Sequence, residues 1–263
     1  MIHPTTPPAD DHELAAWLAE EAGRRLLEVR EEGLTGRALK DAGDQAAHDL
    51  LVRLLAEHRP GDVVLSEEGK DDRARLDADR VWIVDPLDGT REFSEPPRDD
   101  WAVHVALWER GAGDGSTGAG DLSAGAVAQP ALGETFHTGA PPTVPDRTAE
   151  RLRLAVSRSR PPDFTHGLAR ELDAELVPMG SAGVKVMSVV RDVTDAYVHA
   201  GGQYEWDSAA PVAVARAAGL FTSRVDGSPL RYNQSDVYLP DLIVCRPEIA
   251  ERVVGWVRAH HVG

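Results

Sequence analysis

The ten residues from Val81 to Thr90, VWIVDPLDGT, constrain this chain more than any other stretch. Four consecutive apolar residues, three of them β-branched, read as a strand buried on both faces. That strand runs straight into carboxylates: Asp85 ends it, Pro86 stiffens the turn, Asp88 follows three residues later, and Gly89-Thr90 opens a short helix. Any fold that buries the strand must therefore set two acids and a helix start at one of its ends. Two readings are open at this point. Hard oxygen donors beside the backbone N–H groups of Gly89 and Thr90 suit a magnesium ion and a phosphate, and the same Asp-Gly-Thr also makes an ordinary Asx-turn with a helix cap.

A second apolar run, Val63-Val64-Leu65, ends in Ser66-Glu67-Glu68. If the two strands are neighbours, Glu67 lies beside Asp85, and paired carboxylates need a proton or a cation between them. The competing reading makes Glu67 and Glu68 exposed loop acids ahead of Lys70.

Around this centre the periodicity predicts a helix from Asp11 to Glu32 and another from Ala42 to His58. Trp101–Trp108 and Ser123–Ala128 read as strands of an antiparallel meander, joined by a mobile glycine-rich connection, Gly111–Gly120. Residues 1–10 read as a frayed start. A proline-rich stretch at 141–146 divides the chain into an N-terminal α+β half, 1–145, with the acidic motifs, and a C-terminal α/β half, 146–263. In the second half, strands are expected at 151–156, 195–199 and 242–245, and helices at 164–175, 184–191, 208–218 and 248–259. The mixture predicts a layered α/β architecture.

Composition excludes several functions. With 28 Lys+Arg against 44 Asp+Glu the 263-residue chain carries a formal charge of −16, which repels a nucleic acid polymer. No apolar run reaches the roughly 18–20 residues that span a bilayer. A lone Cys245 and the lack of an apolar leader point to the cytoplasm.

Taken together, Ser66-Glu67-Glu68, Asp85-Pro86-Leu87-Asp88-Gly89-Thr90 and Trp206-Asp207-Ser208-Ala209-Ala210 resemble the inositol monophosphatase superfamily over roughly residues 12–260. The resemblance implies its αβαβα sandwich and a magnesium-dependent, lithium-sensitive phosphomonoesterase. It implies one ion on Glu67, Asp85 and the carbonyl of Leu87, and a second on Asp85, Asp88 and Asp207. It also implies that Thr90 and Asp44 orient the attacking water. By its residues alone, Asp44 reads equally as an ordinary first-turn helix acid, and Asp207 as the N-cap of the Ala-rich helix. The superfamily's Lys-x-Asp-x-Ser-Pro-Val-Thr segment is missing, with Gly36–Asp41 in its place, so two ions are expected and a third is left open.

Ser157-Arg158-Ser159 and Ser181–Lys185 resemble the CysQ branch, the 3'-phosphoadenosine 5'-phosphate phosphatases, which implies nucleotide by-product clearance in sulfate assimilation. Gly89, Thr90, Ser157, Arg158, Ser181, Lys185 and Glu205 are the expected substrate contacts, with His199, Gly202 and Gln203 near the sugar or base. The substrate expected is a small phosphate monoester, a nucleotide bisphosphate, and the resemblance implies a homodimer. An inositol-1-phosphate or fructose-1,6-bisphosphate phosphatase is the alternative on the same scaffold. A non-catalytic phosphate-binding module is a further one, against which the complete acid set argues.

Overall fold

Val103, Val105 and Leu107 face one side of their strand, and Ala102, Ala106 and Trp108 the other. This period of two sets the layers of the molecule. The computed structural model describes residues 7–113 and 120–261. The expectations for residues 1–6 and for 114–119 of the glycine-rich connection lie outside the described residues.

The first sheet is β1 (Val63–Ser66), β2 (Arg80–Asp88), β3 (Ala102–Glu109), β4 (Asp121–Gln129) and β5 (Glu134–His137), in that spatial order. β1 and β2 are parallel, and the rest is an antiparallel meander. The second sheet contains β6 (Leu152–Ser157), β7 (Ala174–Met179), β8 (Ala196–Ala200), β9 (Phe221–Ser223) and β10 (Asp241–Cys245), ordered β7-β6-β8-β10-β9. Here β6 runs parallel to both β7 and β8. The helices are α1 (Asp11–Glu31), α2 (Gly36–His58), α3 (Thr90–Phe93), α4 (Phe164–Leu172), α5 (Ala182–Val190), α6 (Glu205–Ala217) and α7 (Ala250–His261).

Three cores stack these elements into five layers. Leu14, Leu18, Leu26, Leu51 and Leu55 of α1 and α2 pack on Val84, Val103 and Val105. Val186, Val189, Val212 and Val214 of α5 and α6 fill the space between the sheets, against Ile83 and Trp108 on one side and Tyr197 and Val244 on the other. Leu168 and Val257 of α4 and α7 cover the outer face of the second sheet through Val198 and Ile243. The architecture is the αβαβα sandwich.

Several boundaries differ from the sequence expectation. Helix α2 starts at Gly36, not Ala42, because Leu39 extends the buried stripe Leu39, Gly43, Ala47 by one turn. Strand β2 does not stop at Asp85 but continues to Asp88, with its register against β3 slipping between them. Pro86 has no N–H to give to the ladder, which accounts for the slip. Helix α4 ends at Leu172, where Asp173 turns left-handed (φ 49°) and frees Ala174–Met179 to form an unexpected strand. Helix α6 begins at Glu205, so Asp207 is its third residue rather than its N-cap.

Candidate metal and phosphate site

Parallel pairing sets Ser66 against Val84, so Glu67, just past the end of β1, lies beside Asp85 within β2. Asp85 is 1% exposed, and its Oδ1 accepts the N–H of Leu87 at 3.0 Å. Burial and the neighbouring charges of Glu67, Asp88 and Asp207 push the Asp85 carboxyl well above the usual carboxylate range. Glu67 as a residue is exposed, yet its carboxyl end meets Asp85. Desolvation there and repulsion from Asp207 push it up to about 7.

Asp88 behaves in the opposite way. Its Oδ2 accepts from Ser181 Oγ at 2.5 Å and Gly183 N at 2.7 Å, and its Oδ1 from Ala182 N at 3.1 Å. It thus caps helix α5, whose N-terminal donors favour an anion. Burial opposes its ionisation, but His104 and these donors outweigh it and hold the carboxyl down at about 2. Asp207, pushed up to about 7 by burial and by Asp88, accepts the N–H of Tyr204 at 2.7 Å.

Ligand atoms of Asp85, Asp88 and Asp207 lie within 4.8 Å of one another. Buried carboxylates at this spacing repel unless a proton or cation intervenes. The donor set is all oxygen and predominantly anionic, and it fits a hard divalent cation rather than a soft one.

Thr90 follows the left-handed Gly89 (φ 89°) at the start of α3. Its hydroxyl lies 3.3 Å from Asp44 Oδ1 and 3.2 Å from the Leu87 carbonyl, with which it can bond in turn. Asp44 comes from α2, where burial and then the nearby Glu68 push its carboxyl up to about 7. The side chains expected to handle water are therefore brought together from elements 46 residues apart in sequence.

A cleft of about 670 Å³ opens over these groups, lined by Asp88, Gly89, Thr90, Asp207, Ser157, Ser181 and Lys185 among others. His199, Gly202 and Gln203 are also on its wall. Lys185 is almost wholly buried. Its ammonium donates to the carbonyls of Gly180 and Ser181 at 2.7 Å each, and burial lowers it to about 8.

Two expected substrate contacts are absent from the lining. Arg158 turns to Glu92, at 2.9 and 2.6 Å, and to Glu95 at 2.9 Å. It braces α3 instead of offering charge to a ligand. Glu205 accepts the backbone N–H groups of Asn233 and Gln234 at 2.6 and 2.7 Å, which uses its carboxylate to hold that turn.

Sequence reasoning missed His104. It lies on the inward face of β3, fully buried, with Nε2 3.2 Å from Asp88 Oδ2 and Nδ1 3.2 Å from the Trp206 carbonyl. The alternation in Trp-Ala-Val-His-Val-Ala-Leu-Trp carries the signal, since it puts one imidazole among inward-facing apolar side chains. The same inward face crowds Gly183, where a Cβ would stand 2.0 Å from His104 Nε2.

The profile of the inositol monophosphatase family matches residues 11–261. The 3'-phosphoadenosine 5'-phosphate phosphatase of Mycobacterium leprae is 53% identical over 260 residues, covering 94% of this chain and 93% of that protein. The crystal structure of CysQ from Bacteroides thetaiotaomicron, a bacterial member of the same family, superposes with a TM-score of 0.71 at 27% identity, over 89% of this chain and 96% of that one. Inositol monophosphatase II from Staphylococcus aureus shares the fold, with a TM-score of 0.75 at 22% identity over 93% and 92% of the two chains. A match over nearly the whole length, on top of the acid cluster and the five-layer sandwich, means that the chain belongs to the inositol monophosphatase family of metal-dependent phosphatases.

Proposed function

We propose that this chain is a magnesium-dependent phosphomonoesterase that hydrolyses the 3'-phosphate of 3'-phosphoadenosine 5'-phosphate, giving AMP and phosphate. The observation that carries the reading is the convergence of Asp85, Asp88 and Asp207 within 4.8 Å, beside the Thr90–Asp44 pair. The name of the 53% identical relative supports the choice of nucleotide, and a 670 Å³ cleft has room for one.

In this reading Glu67, Asp85 and the carbonyl of Leu87 hold one magnesium ion, and Asp85, Asp88 and Asp207 a second. Bound magnesium supplies positive charge that offsets the charge of the phosphoryl group during transfer. The residues of the chain do the positioning. Asp44, crowded and readily protonated, draws a proton through the Thr90 hydroxyl and so orients water for attack. Gly89, Thr90 and Ser181 flank the phosphate, while Ser157 and Lys185 border the rest of the substrate. No helix among the described residues is long and apolar enough to cross a membrane. We place the enzyme in the cytoplasm as a homodimer.

Phosphate release with and without magnesium tests the reading. Turnover of 3'-phosphoadenosine 5'-phosphate should depend on the metal and exceed that of inositol-1-phosphate and fructose-1,6-bisphosphate in kcat/KM. Preference for either of those two overturns the nucleotide assignment. Background release from all three favours a non-catalytic binding module.

A further inference from the structure

We infer that Arg160 receives the second phosphate of a nucleoside bisphosphate and so separates bisphosphate from monophosphate substrates; this rests on the function proposed above. A substrate with two phosphates needs positive charge at the one that does not react. Among the cations near the cleft, Arg91 is paired with Glu95 at 3.1 Å. Lys185 is spent on two backbone carbonyls, and Arg158 on Glu92 and Glu95. Burial lowers His199 to about 4, and its Nε2 bonds the Gly201 carbonyl at 2.7 Å, so it is neutral at physiological pH.

Arg160 differs from all of these. It lines the cleft, and among the described residues its guanidinium has no ion pair and no hydrogen bond. Other arginines of the chain also lack a carboxylate partner among the described residues; what sets Arg160 apart is that it is exposed on the wall of this cleft.

The segment that presents it is fixed at both ends. The Arg160 N–H donates to Ser157 Oγ at 3.2 Å. Two residues further, the Pro162 carbonyl accepts from both the hydroxyl and the N–H of Thr165, at 2.7 and 3.0 Å. Pro161 and Pro162 restrict the backbone between these anchors, so little ordering remains to be done on binding. The position in the fold is also a binding position: Ser157, Met179 and Ala200, at the carboxyl ends of the parallel strands β6, β7 and β8, all line this cleft. A planar guanidinium fits two phosphate oxygens at once.

The test compares 3'-phosphoadenosine 5'-phosphate with 3'-AMP, which lacks the second phosphate, in the wild type, Arg160→Ala, Arg160→Lys and Arg158→Ala. Loss of a charge-assisted contact corresponds to about 10- to 100-fold. Arg160→Ala should lose that much more kcat/KM on the bisphosphate than on 3'-AMP, and Arg160→Lys should recover part of it. Calorimetry gives a readout apart from turnover: AMP, which keeps the 5'-phosphate, should bind Arg160→Ala about 10- to 100-fold more weakly than wild type, whereas adenosine should not discriminate. Arg158→Ala should depress both substrates alike. If wild type prefers the bisphosphate and Arg160→Ala keeps that preference undiminished, the inference fails alone. If wild type releases no phosphate from the bisphosphate, the proposed function fails and the inference with it.

Discussion

Nε2 of His104 lies 3.2 Å from Oδ2 of Asp88, in the plane of contact between the first sheet and helix α5. The other ring nitrogen lies 3.2 Å from the carbonyl of Trp206, the residue before Asp207. One buried ring thus spaces two acids that come from the two halves of the chain. Partners of this kind, behind a metal ligand, contribute about 10- to 100-fold to metal affinity or activity. His104→Ala is predicted to raise the magnesium concentration for half-maximal activity by that factor, and His104→Asn to retain more. Titration of magnesium against Tm and against rate checks both. Unchanged magnesium dependence in folded His104→Ala would sink the spacing role.

Gly183 faces the same ring. A Cβ there would stand 2.0 Å from Nε2, and the atom it meets is a buried ring rather than a flexible side-chain tip. Gly183→Ala is predicted to cost about 1–3 kcal/mol through overpacking and to weaken magnesium binding in step with His104→Ala. The double variant with His104→Ala should recover stability relative to Gly183→Ala alone. Strictly additive urea-denaturation energies would show that the two positions do not interact.

The metal-free protein carries the burial of Glu67, Asp85 and Asp207, and then their mutual repulsion, as an instability, since each carboxyl is held above its ordinary value. Asp85→Asn removes one charge from the cluster. It is predicted to raise the Tm of metal-free protein, at about 2–4 °C per kcal/mol for a chain of this size, while abolishing the further rise on adding magnesium and nearly all turnover. Scanning calorimetry with a chelator and then with magnesium separates the two effects. A metal-induced Tm rise as large as wild type would remove Asp85 from the ligand set.

Much of this site is legible in the sequence because its chemistry is local. Val81–Val84 can hardly be anything but a buried strand, and it hands its direction to Asp85 and Asp88. The same pattern marks Val63–Leu65 as a second strand running into Glu67, and the structure pairs the two in parallel. What was not legible depends on partners far along the chain. Arg158 reads as a phosphate ligand until Glu92, 66 residues away, is seen to hold it. Glu205 reads as a cleft residue until the turn at Asn233 claims its carboxylate. Helix α2 reads as starting at Ala42 because Gly36–Asp41 is polar and glycine-led. Only the packing of Leu39 against the first core adds the missing turn.

Thr90 and Asp44 meet at 3.3 Å between oxygens. If the pair orients water rather than merely fastening α3 to α2, Asp44→Asn keeps the hydrogen bond but loses the base. Proton transfer by a positioned side chain contributes about 10²–10⁴-fold. The prediction is a loss of that order in kcat, with KM and the magnesium-induced Tm rise unchanged. Near wild-type kcat at saturating magnesium would leave Asp44 a structural role only.

Asp192, far from the acid cluster, should govern acid stability. Its side chain is 6% exposed and accepts from Arg153 at 2.7 Å, Arg246 at 2.8 Å and the Thr148 hydroxyl at 2.7 Å. Burial works against the charge, but the Thr148 and arginine donors prevail and hold the carboxyl down at about 2. A carboxyl depressed on folding contributes stability above its unfolded value of 3.8, and that contribution fades as pH falls toward 2. Asp192→Asn is therefore predicted to cost about 1–3 kcal/mol near neutrality, with the gap to wild type constant from pH 7 to 5 and shrinking below about 4. Urea denaturation of both proteins at pH 7, 5 and 3.5 measures it. A gap equally wide at pH 3.5 and pH 7 would mean that the ionised carboxylate is not the source of the stability.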